Sequence, residues 1–230
     1  MKELIEIDDL RVRLKRSARR KTVALVVDRV GGVELLLPEK LSDADAEGII
    51  KRKQLWIYKT LDIKRRGLHE TAEKDYVSGE SFFFSGRKHS LSLQGEGKGL
   101  TFHNGRFYLP RALAANGRKA FVDWYTEETK TIISERIDIL SRRVAVFPGK
   151  VTVQDLGFNW ASCGKGGRLY FNWKIAMLPL EIVDYLMTHE LIHLKEPRHS
   201  QTFYTLLVRA VPNYKQLDRW LLENGGKYQI

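Results

Sequence analysis

Short stretches in which apolar and polar residues alternate dominate the first part of the chain and predict β-strands. Residues 11–15 (Arg-Val-Arg-Leu-Lys) alternate with a period of two, and residues 22–27 form a β-branched run. Gly31-Gly32 separates that run from the apolar residues 33–37, which predicts a hairpin. Further short strands are expected at residues 81–84, 90–93, 100–103 and 106–109, the last two joined by Asn104-Gly105.

Apolar residues at helical spacing predict one helix in the first part of the chain and several in the second. Ser42 is a candidate N-cap for a helix that continues to about Arg66, with Asp43 and Asp45 complementing the helix dipole. The other predicted helices span residues 117–143, 180–194 and 203–210 and a C-terminal stretch containing Leu217, Trp220 and Leu221. Two strands, residues 151–156 and 168–173, are expected to frame a turn containing Cys163. This order of elements predicts an α+β fold.

One predicted helix carries the spacing His-Glu-x-x-His. Because residues four apart lie on the same face of a helix, His189 and His193 can offer two imidazoles to one metal ion. Glu190 borders that face without being forced to bind the ion. Pro197 interrupts the helix, so the chain can turn and bring His199 to the metal as a third ligand. Three protein ligands leave one position open for water, which is typical of a catalytic zinc site.

These residues predict a zinc-dependent metallopeptidase that hydrolyses peptide bonds. Zinc lowers the pKa of its bound water from about 15.7 toward 7, and Glu190 can act as the general base. The alternative for the motif is a pair of hydrogen-bonded core histidines, which does not explain the glutamate between them. The donor that would stabilise the oxyanion stays unassigned, and the candidates by nearness in sequence are Tyr185, Arg198, Tyr204 and Tyr214.

Several motifs give the chain a resemblance to the YgjP-like metallopeptidase family, a relative of the SprT-like zincins. The denser motifs lie in the C-terminal part: Trp160-Ala161-Ser162-Cys163, Leu169 to Trp173, Asp184-Tyr185 before His-Glu-Leu-Ile-His-Leu, His199-Ser200, Phe203, Pro212 and Trp220-Leu221. Looser matches extend toward the N-terminus: Arg19-Arg20-Lys21, residues 77–80, Gly86-Arg87 and Trp124-Tyr125. One departure is Asn159, where the family usually has arginine before Trp-Gly-Ser-Cys.

The resemblance implies that His189, His193 and His199 bind zinc and that Glu190 is the catalytic carboxylate. It also implies a zincin-like C-terminal part whose active-site helix carries His-Glu-x-x-His. We therefore expect a β-rich region with one long helix over residues 1–115, packed on a zincin-like metallopeptidase region over residues 116–230. With Asn159 in place of that arginine, the chain is expected to lack any substrate or nucleic-acid contact that the arginine makes in the family, whereas the metal site is not affected.

The net charge of +11 is concentrated in the first 150 residues. Residues 151–230 contain nine Lys or Arg and seven Asp or Glu, which leaves 30 and 21 for residues 1–150. Such an excess favours attraction to nucleic acid, although many soluble proteins are basic without binding any. Residues 11–21 hold seven Lys or Arg, of which Arg16, Arg19 and Arg20 are predicted to contact DNA. A solvated strand edge that resists aggregation is the alternative.

A second hypothesis is a DNA-associated accessory protein, in a restriction or DNA-repair context, whose zinc is mainly structural. It draws on the charge and on family relatives similar to proteases that act on DNA-bound proteins. Glu190 favours catalysis, because a structural site does not need a carboxylate there. The expected partners are a protein or peptide substrate, with DNA or a DNA-bound protein as a further candidate and no membrane.

The chain is expected to act in the cytoplasm. It has no apolar run near 18 residues and no apolar segment typical of a secretory signal at its N-terminus. Cys163 is the single cysteine, which excludes an intramolecular disulfide. We expect it to be a packed structural thiol, with a nucleophile or metal ligand as the alternative.

Overall fold

The computed structural model describes residues 3–28, 31–68, 74–157 and 159–230, without the side chains of residues 59 and 62–68. The strands in these ranges are β1 (Leu4–Ile7), β2 (Leu10–Ser17), β3 (Ala24–Val27), β4 (Val33–Pro38), β5 (Ser81–Phe84), β6 (Arg87–Gln94), β7 (Thr101–His103), β8 (Arg106–Pro110), β9 (Val151–Gln154), β10 (Ala161–Cys163) and β11 (Leu169–Asn172). The helices are α1 (Asp43–Leu68), α2 (Gly117–Val144), α3 (Leu180–Ile192), α4 (Gln201–Ala210) and α5 (Tyr214–Asn224). The fold is mixed α+β with a β-rich N-terminal half, as predicted. No helix in the described part of the chain is long and apolar enough to cross a membrane.

The chain divides into two compact units. The first comprises Met1–Glu70 and Leu222–Lys227, and the second comprises Thr71–Leu221 and Tyr228–Ile230. The sequence pattern places a boundary after residue 115, whereas the compact units separate after residue 70. The reason is that β5 and β8 share a core with α2: the ring of Phe121 stacks on Phe82 at 3.9 Å between centroids and lies 5.1 Å from Phe107.

In the first unit a four-stranded sheet packs on α1. The strand order is β1-β2-β4-β3, with β2 and β4 parallel and the other pairs antiparallel. Antiparallel pairing of β3 with β4 confirms the predicted hairpin. Ile50 and Ile57 of α1 are fully buried in the same core as Val12 of β2. The Ser42 hydroxyl accepts a hydrogen bond from the N–H of Asp45 at 3.1 Å, so the predicted N-cap is confirmed.

The second unit contains a four-stranded sheet of order β5-β6-β8-β7. Asn104 and Gly105 join β7 to β8 with φ of 49° and 72°, the pair of positive angles that a tight type I′ hairpin requires. The β5–β6 turn lies against the start of α3, because a Cβ on Gly86 would come within 2.8 Å of the Pro179 side chain. This close approach, at a φ of 80°, requires glycine at position 86.

A second, three-stranded sheet has the order β10-β11-β9, with β9 parallel and β10 antiparallel to β11. The sequence pattern predicts only β9 and β11 and places Cys163 in the turn between them. The structure corrects this: Cys163 is the last residue of strand β10. The three residues of β10 are too few to show an alternation of apolar and polar side chains. They are recognised as a strand by their pairing with β11.

Helix α3 packs against α2, α4 and β10 in the second unit. Helix α2 packs against both α3 and the 3-10 segment Trp173–Met177 that leads into it. The buried hydroxyl of Thr129 on α2 donates to the carbonyl of Trp173 at 2.8 Å and accepts from the N–H of Ala176 at 3.2 Å. Arg136 on α2 forms a two-pronged ion pair with Asp184 on α3. These contacts fix the helix that carries the His-Glu-x-x-His residues.

Candidate metal centre

The C-terminal end of α3 presents two of the three predicted ligands. His193 caps the helix with helical angles (φ −61°, ψ −19°), and its N–H donates to the carbonyl of His189 at 3.3 Å. One helical turn therefore separates the two residues, and their ring centroids lie 5.0 Å apart. Most of α3 is core, with Ile182, Val183 and Leu191 almost fully buried.

The chain after α3 brings His199 to the same place. The N–H groups of Lys195 and Glu196 still bond to the carbonyl of Ile192, and the chain then turns through Pro197 into α4. The ring nitrogens Nε2 of His189 and His199 lie 3.0 Å apart. One ligand atom of each histidine lies within 4.8 Å of the others in the cluster His189, His193 and His199. The structure thus brings together all three residues that the sequence predicts as ligands.

Two of the three imidazoles fit a bound metal ion in charge as well as position. Burial lowers the pKa of His189 to about 3, and His193 and His199 add to the shift, so this ring is neutral at pH 7. Burial also lowers the pKa of His193. A neutral ring keeps a nitrogen lone pair for the metal. Two nitrogens on one tetrahedral zinc would lie about 3.3 Å apart, close to the observed 3.0 Å between the rings of His189 and His199.

A backbone carbonyl orients the ring of His193. Its Nδ1 lies 3.1 Å from the carbonyl oxygen of Glu196, so a proton on Nδ1 is donated there and Nε2 is left for the metal. Two carboxylates near the histidines in sequence, those of Asp184 and Glu196, would also be suitable acceptors. The structure uses the main chain of Glu196 instead, and Asp184 is paired with Arg136.

Phe203 of α4 packs against all three histidines. Its ring is fully buried, and its centroid lies 4.9, 4.6 and 4.8 Å from those of His189, His193 and His199. The N–H of Phe203 donates to the hydroxyl of Ser200, the N-cap of α4, at 3.2 Å. The sequence pattern assigns Phe203 no role at the site. One signal in the sequence is Ser200, an N-cap residue directly after His199. It predicts a helix whose first turn contains Phe203.

Glu190 lies on the buried side of the cluster with only 8% of its surface exposed. The backbone N–H of Cys163 donates a hydrogen bond to its carboxylate. Burial raises the pKa of Glu190 to about 7, and this hydrogen bond opposes the shift. Glu190 is not part of the three-histidine cluster in the described chain. Its carboxylate thus borders the cluster, and its role as general base stays a prediction.

Strand β10 is the edge of its sheet that faces α3. The N–H of Asn172 donates to Trp160 and that of Gly164 to Arg168, both at 2.8 Å, so alternate residues bond toward β11. Ala161 and Cys163 therefore direct their main-chain groups away from β11, and β10 contacts α3 on that side. Burial and the nearby Glu190 raise the pKa of the Cys163 thiol, which disfavours a thiolate nucleophile.

The four residues considered as oxyanion donors differ in their surroundings. The hydroxyl of Tyr185 donates to Asp218 at 3.2 Å, and the Tyr185 side chain is nearly buried. Tyr204 is 39% exposed, and its ring lies 6.3 Å from that of His199 and 6.0 Å from that of Tyr214. Arg198 is exposed, and its backbone N–H donates to the Glu196 carboxylate. Of these four residues, Tyr204 combines an exposed side chain with a ring beside a histidine of the cluster.

The arginines predicted to contact DNA lie in the first unit and are not equivalent. Arg16 pairs with Asp43 and donates to the carbonyl of Leu41, and only 12% of its side chain is exposed. Arg19 is exposed and Arg20 is half-buried. A phosphate contact by Arg16 would require breaking its ion pair, which leaves Arg19 and Arg20 as the better candidates. DNA binding itself stays a prediction.

Comparison with known proteins agrees with the geometry of the site. A family model described as YgjP-like, metallopeptidase domain, matches residues 21–224, nearly all of the chain. Neither the curated proteins nor the solved structures include a significant match. The matched segment contains the three histidines and Glu190, and the family name denotes a metal-dependent peptide hydrolase. The chain therefore belongs to the YgjP-like metallopeptidase family.

Proposed function

We propose that this protein is a zinc-dependent peptidase in which His189, His193 and His199 hold the metal and Glu190 is the general base. The observation that carries the proposal is the buried carboxylate of Glu190 beside three convergent imidazoles. Three histidine ligands that leave a fourth position open are typical of catalytic zinc sites. When bound, zinc supplies Lewis acidity that polarises a carbonyl group and acidifies water.

Glu190 supplies the proton acceptor. An ionised carboxylate offers about four lone-pair sites, so the bond from the Cys163 N–H leaves others for a water proton. That bond also limits rotation of the carboxylate. In the proposed reaction Glu190 takes a proton from the attacking water and passes it to the leaving amine, a role for which carboxylates are well suited.

Strand β10 supplies the surface that binds the substrate. The main-chain groups of Ala161 and Cys163 that face away from β11 lie on the side of α3. The N–H of Cys163 is engaged by Glu190, so an extended peptide would pair with the remaining groups by strand addition. Strand pairing depends on main-chain hydrogen bonds and not on the side chains of the substrate. It therefore favours unfolded proteins or extended loops as substrates.

The test is to compare Glu190→Gln with the parent and with Glu181→Gln, an exposed glutamate on the same helix. Glutamine is nearly isosteric but cannot accept a proton at neutral pH. We expect Glu190→Gln to hydrolyse an unfolded protein about 10²–10⁴-fold more slowly, while zinc content and thermal stability stay near those of the parent. Glu181→Gln should match the parent in all three measurements.

Two results would contradict the proposal. If Glu190→Gln keeps full activity, Glu190 is not the base. If it loses zinc, Glu190 is a ligand and the division of roles is wrong. The alternative of a DNA-associated accessory protein with a structural zinc predicts no hydrolysis by the metal-loaded parent at all.

A further inference from the structure

A cleft of about 590 Å³ opens beside His193 in the second unit. Phe147, Leu194 and Pro197 contribute apolar side chains to its lining, and a glycine-rich turn over residues 164–167 forms another wall. Cys163, whose N–H holds Glu190, also borders it. The cleft therefore adjoins both a proposed metal ligand and the strand proposed to bind substrate.

Among the large apolar side chains that the structure describes, Phe147 is the most exposed, with 84% of its surface accessible. Its position is set by the end of α2. Ala145 adopts a left-handed conformation (φ 51°), and the N–H of Val146 bonds to the carbonyl of Ser141 at 3.0 Å. Val146 is thereby buried, and Phe147 is directed to the surface at the rim of the cleft. The loop thus exposes the Phe147 side chain to water, and an apolar partner bound there would cover it.

The wall formed by residues 164–167 is mostly glycine, which leaves room for a guest. Gly166 and Gly167 have φ of 70° and 71°, and a Cβ on Gly166 would meet no atom within 4 Å. The N–H of Gly149 donates to the carbonyl of Gly167 at 2.8 Å, which ties the loop of Phe147 to this turn. Lys165 is the only Lys, Arg, Asp or Glu in the lining that the structure describes. The cleft is therefore lined by the apolar side chains of Phe147, Leu194 and Pro197 and by a turn in which only Lys165 carries a side chain.

We infer that this cleft receives a large apolar side chain of the substrate next to the scissile bond, and that Phe147 determines this specificity. The inference rests on the proposed peptidase function. Covering Phe147 removes apolar surface from water, which favours leucine, methionine or phenylalanine over alanine. An acidic side chain attracted by Lys165 is the competing guest, and it would leave Phe147 uncovered.

The experiment uses metal-loaded protein and four peptides of one sequence that differ only in a central phenylalanine, leucine, alanine or aspartate. The parent should cleave the phenylalanine and leucine peptides next to that residue, with kcat/KM at least about 10-fold above the alanine peptide. Phe147→Ala should lose this preference, and Phe147→Leu should keep it. Ile139→Ala removes another exposed apolar side chain, outside the cleft, and should behave as the parent.

Equilibrium binding of the same peptides, labelled with a fluorophore, to the zinc-loaded Glu190→Gln variant separates the two proposals. In one outcome the parent cleaves no peptide while the variant still binds the phenylalanine and leucine peptides more tightly, with Phe147→Ala abolishing that preference. This result would reject the peptidase proposal and support the apolar specificity of the cleft. Tightest binding of the aspartate peptide, or a preference unchanged by Phe147→Ala, would overturn the proposed apolar specificity of the cleft.

Discussion

The backbone N–H of Cys163 donates a hydrogen bond to the carboxylate of Glu190 and so joins edge strand β10 to helix α3. The bond connects the proposed substrate-binding strand directly to the proposed general base. Because the donor belongs to the main chain, any residue other than proline can provide it at position 163. The contact therefore depends on the position of β10 rather than on the chemistry of a thiol.

This relationship predicts different results for two substitutions at Cys163. Cys163→Ala keeps the N–H and should retain most of the activity and all of the bound zinc. Cys163→Pro removes the donor and should lower kcat by at least about 10-fold, because Glu190 is no longer oriented. Zinc content and circular dichroism show whether the proline variant is folded. Loss of activity in the alanine variant would show that the thiol itself is needed.

The geometry of the three histidines predicts one zinc ion per chain. His193→Ala should lose most of it, since two ligands hold the ion far more weakly than three. Removing zinc from the parent with a chelator should lower the melting temperature, because a metal that binds only the folded state stabilises it. Elemental analysis and thermal denaturation measure both effects. Full metal occupancy in His193→Ala would count against the site.

Phe203 should control metal affinity without binding the metal. Phe203→Leu keeps an apolar side chain but removes the ring that packs on all three imidazoles. We expect weaker zinc binding, measured by competition with a chelator, and a loss of about 1–3 kcal/mol of stability. Leu207→Ala, in the same helix and equally buried, is the control for stability alone. An unchanged zinc affinity in Phe203→Leu would contradict this role.

The ion pair between Arg136 and Asp184 should stabilise the position of α3 against α2. Its partners are only 25% and 24% exposed, so the pair is screened less than a surface salt bridge. Arg136→Met or Asp184→Asn should each lower the free energy of unfolding by about 1–3 kcal/mol. A double-mutant cycle measured by urea denaturation tests the coupling. Additive single effects would show that the two side chains act independently.

The basic residues of β2 and the turn after it should separate into two groups. Arg16→Ala should destabilise the first unit by about 1–3 kcal/mol, because it leaves Asp43 without this ion pair. Any DNA affinity should fall instead when Arg19 and Arg20 are both neutralised, and it should decrease steeply with salt. Glu190→Gln should bind DNA like the parent. If the Arg19 and Arg20 double variant binds DNA like the parent over a salt titration, these residues form only a solvated edge.

Local features of the sequence predict most of the elements and the identity of the candidate ligands. Periodicity and caps identify the hairpins, the helix that begins after Ser42, and the helix that carries His189 and His193. These signals are local, because hydrogen bonds within a helix and angles within a turn depend on neighbouring residues. The spacing of two histidines by four residues places them on one face before any tertiary contact is known.

Only the tertiary structure decides what surrounds those ligands. Phe203 reaches the imidazoles because α4 starts directly after His199, and the Cys163 N–H reaches Glu190 because β10 pairs with β11. The sequence pattern likewise leaves Arg16 in an exposed basic cluster, whereas folding pairs it with Asp43. Each of these contacts joins residues brought together by packing, and no periodicity along the chain records which surfaces meet. The sequence by itself thus determines which groups are available for chemistry, and packing determines which of them are buried, oriented and within reach of one another.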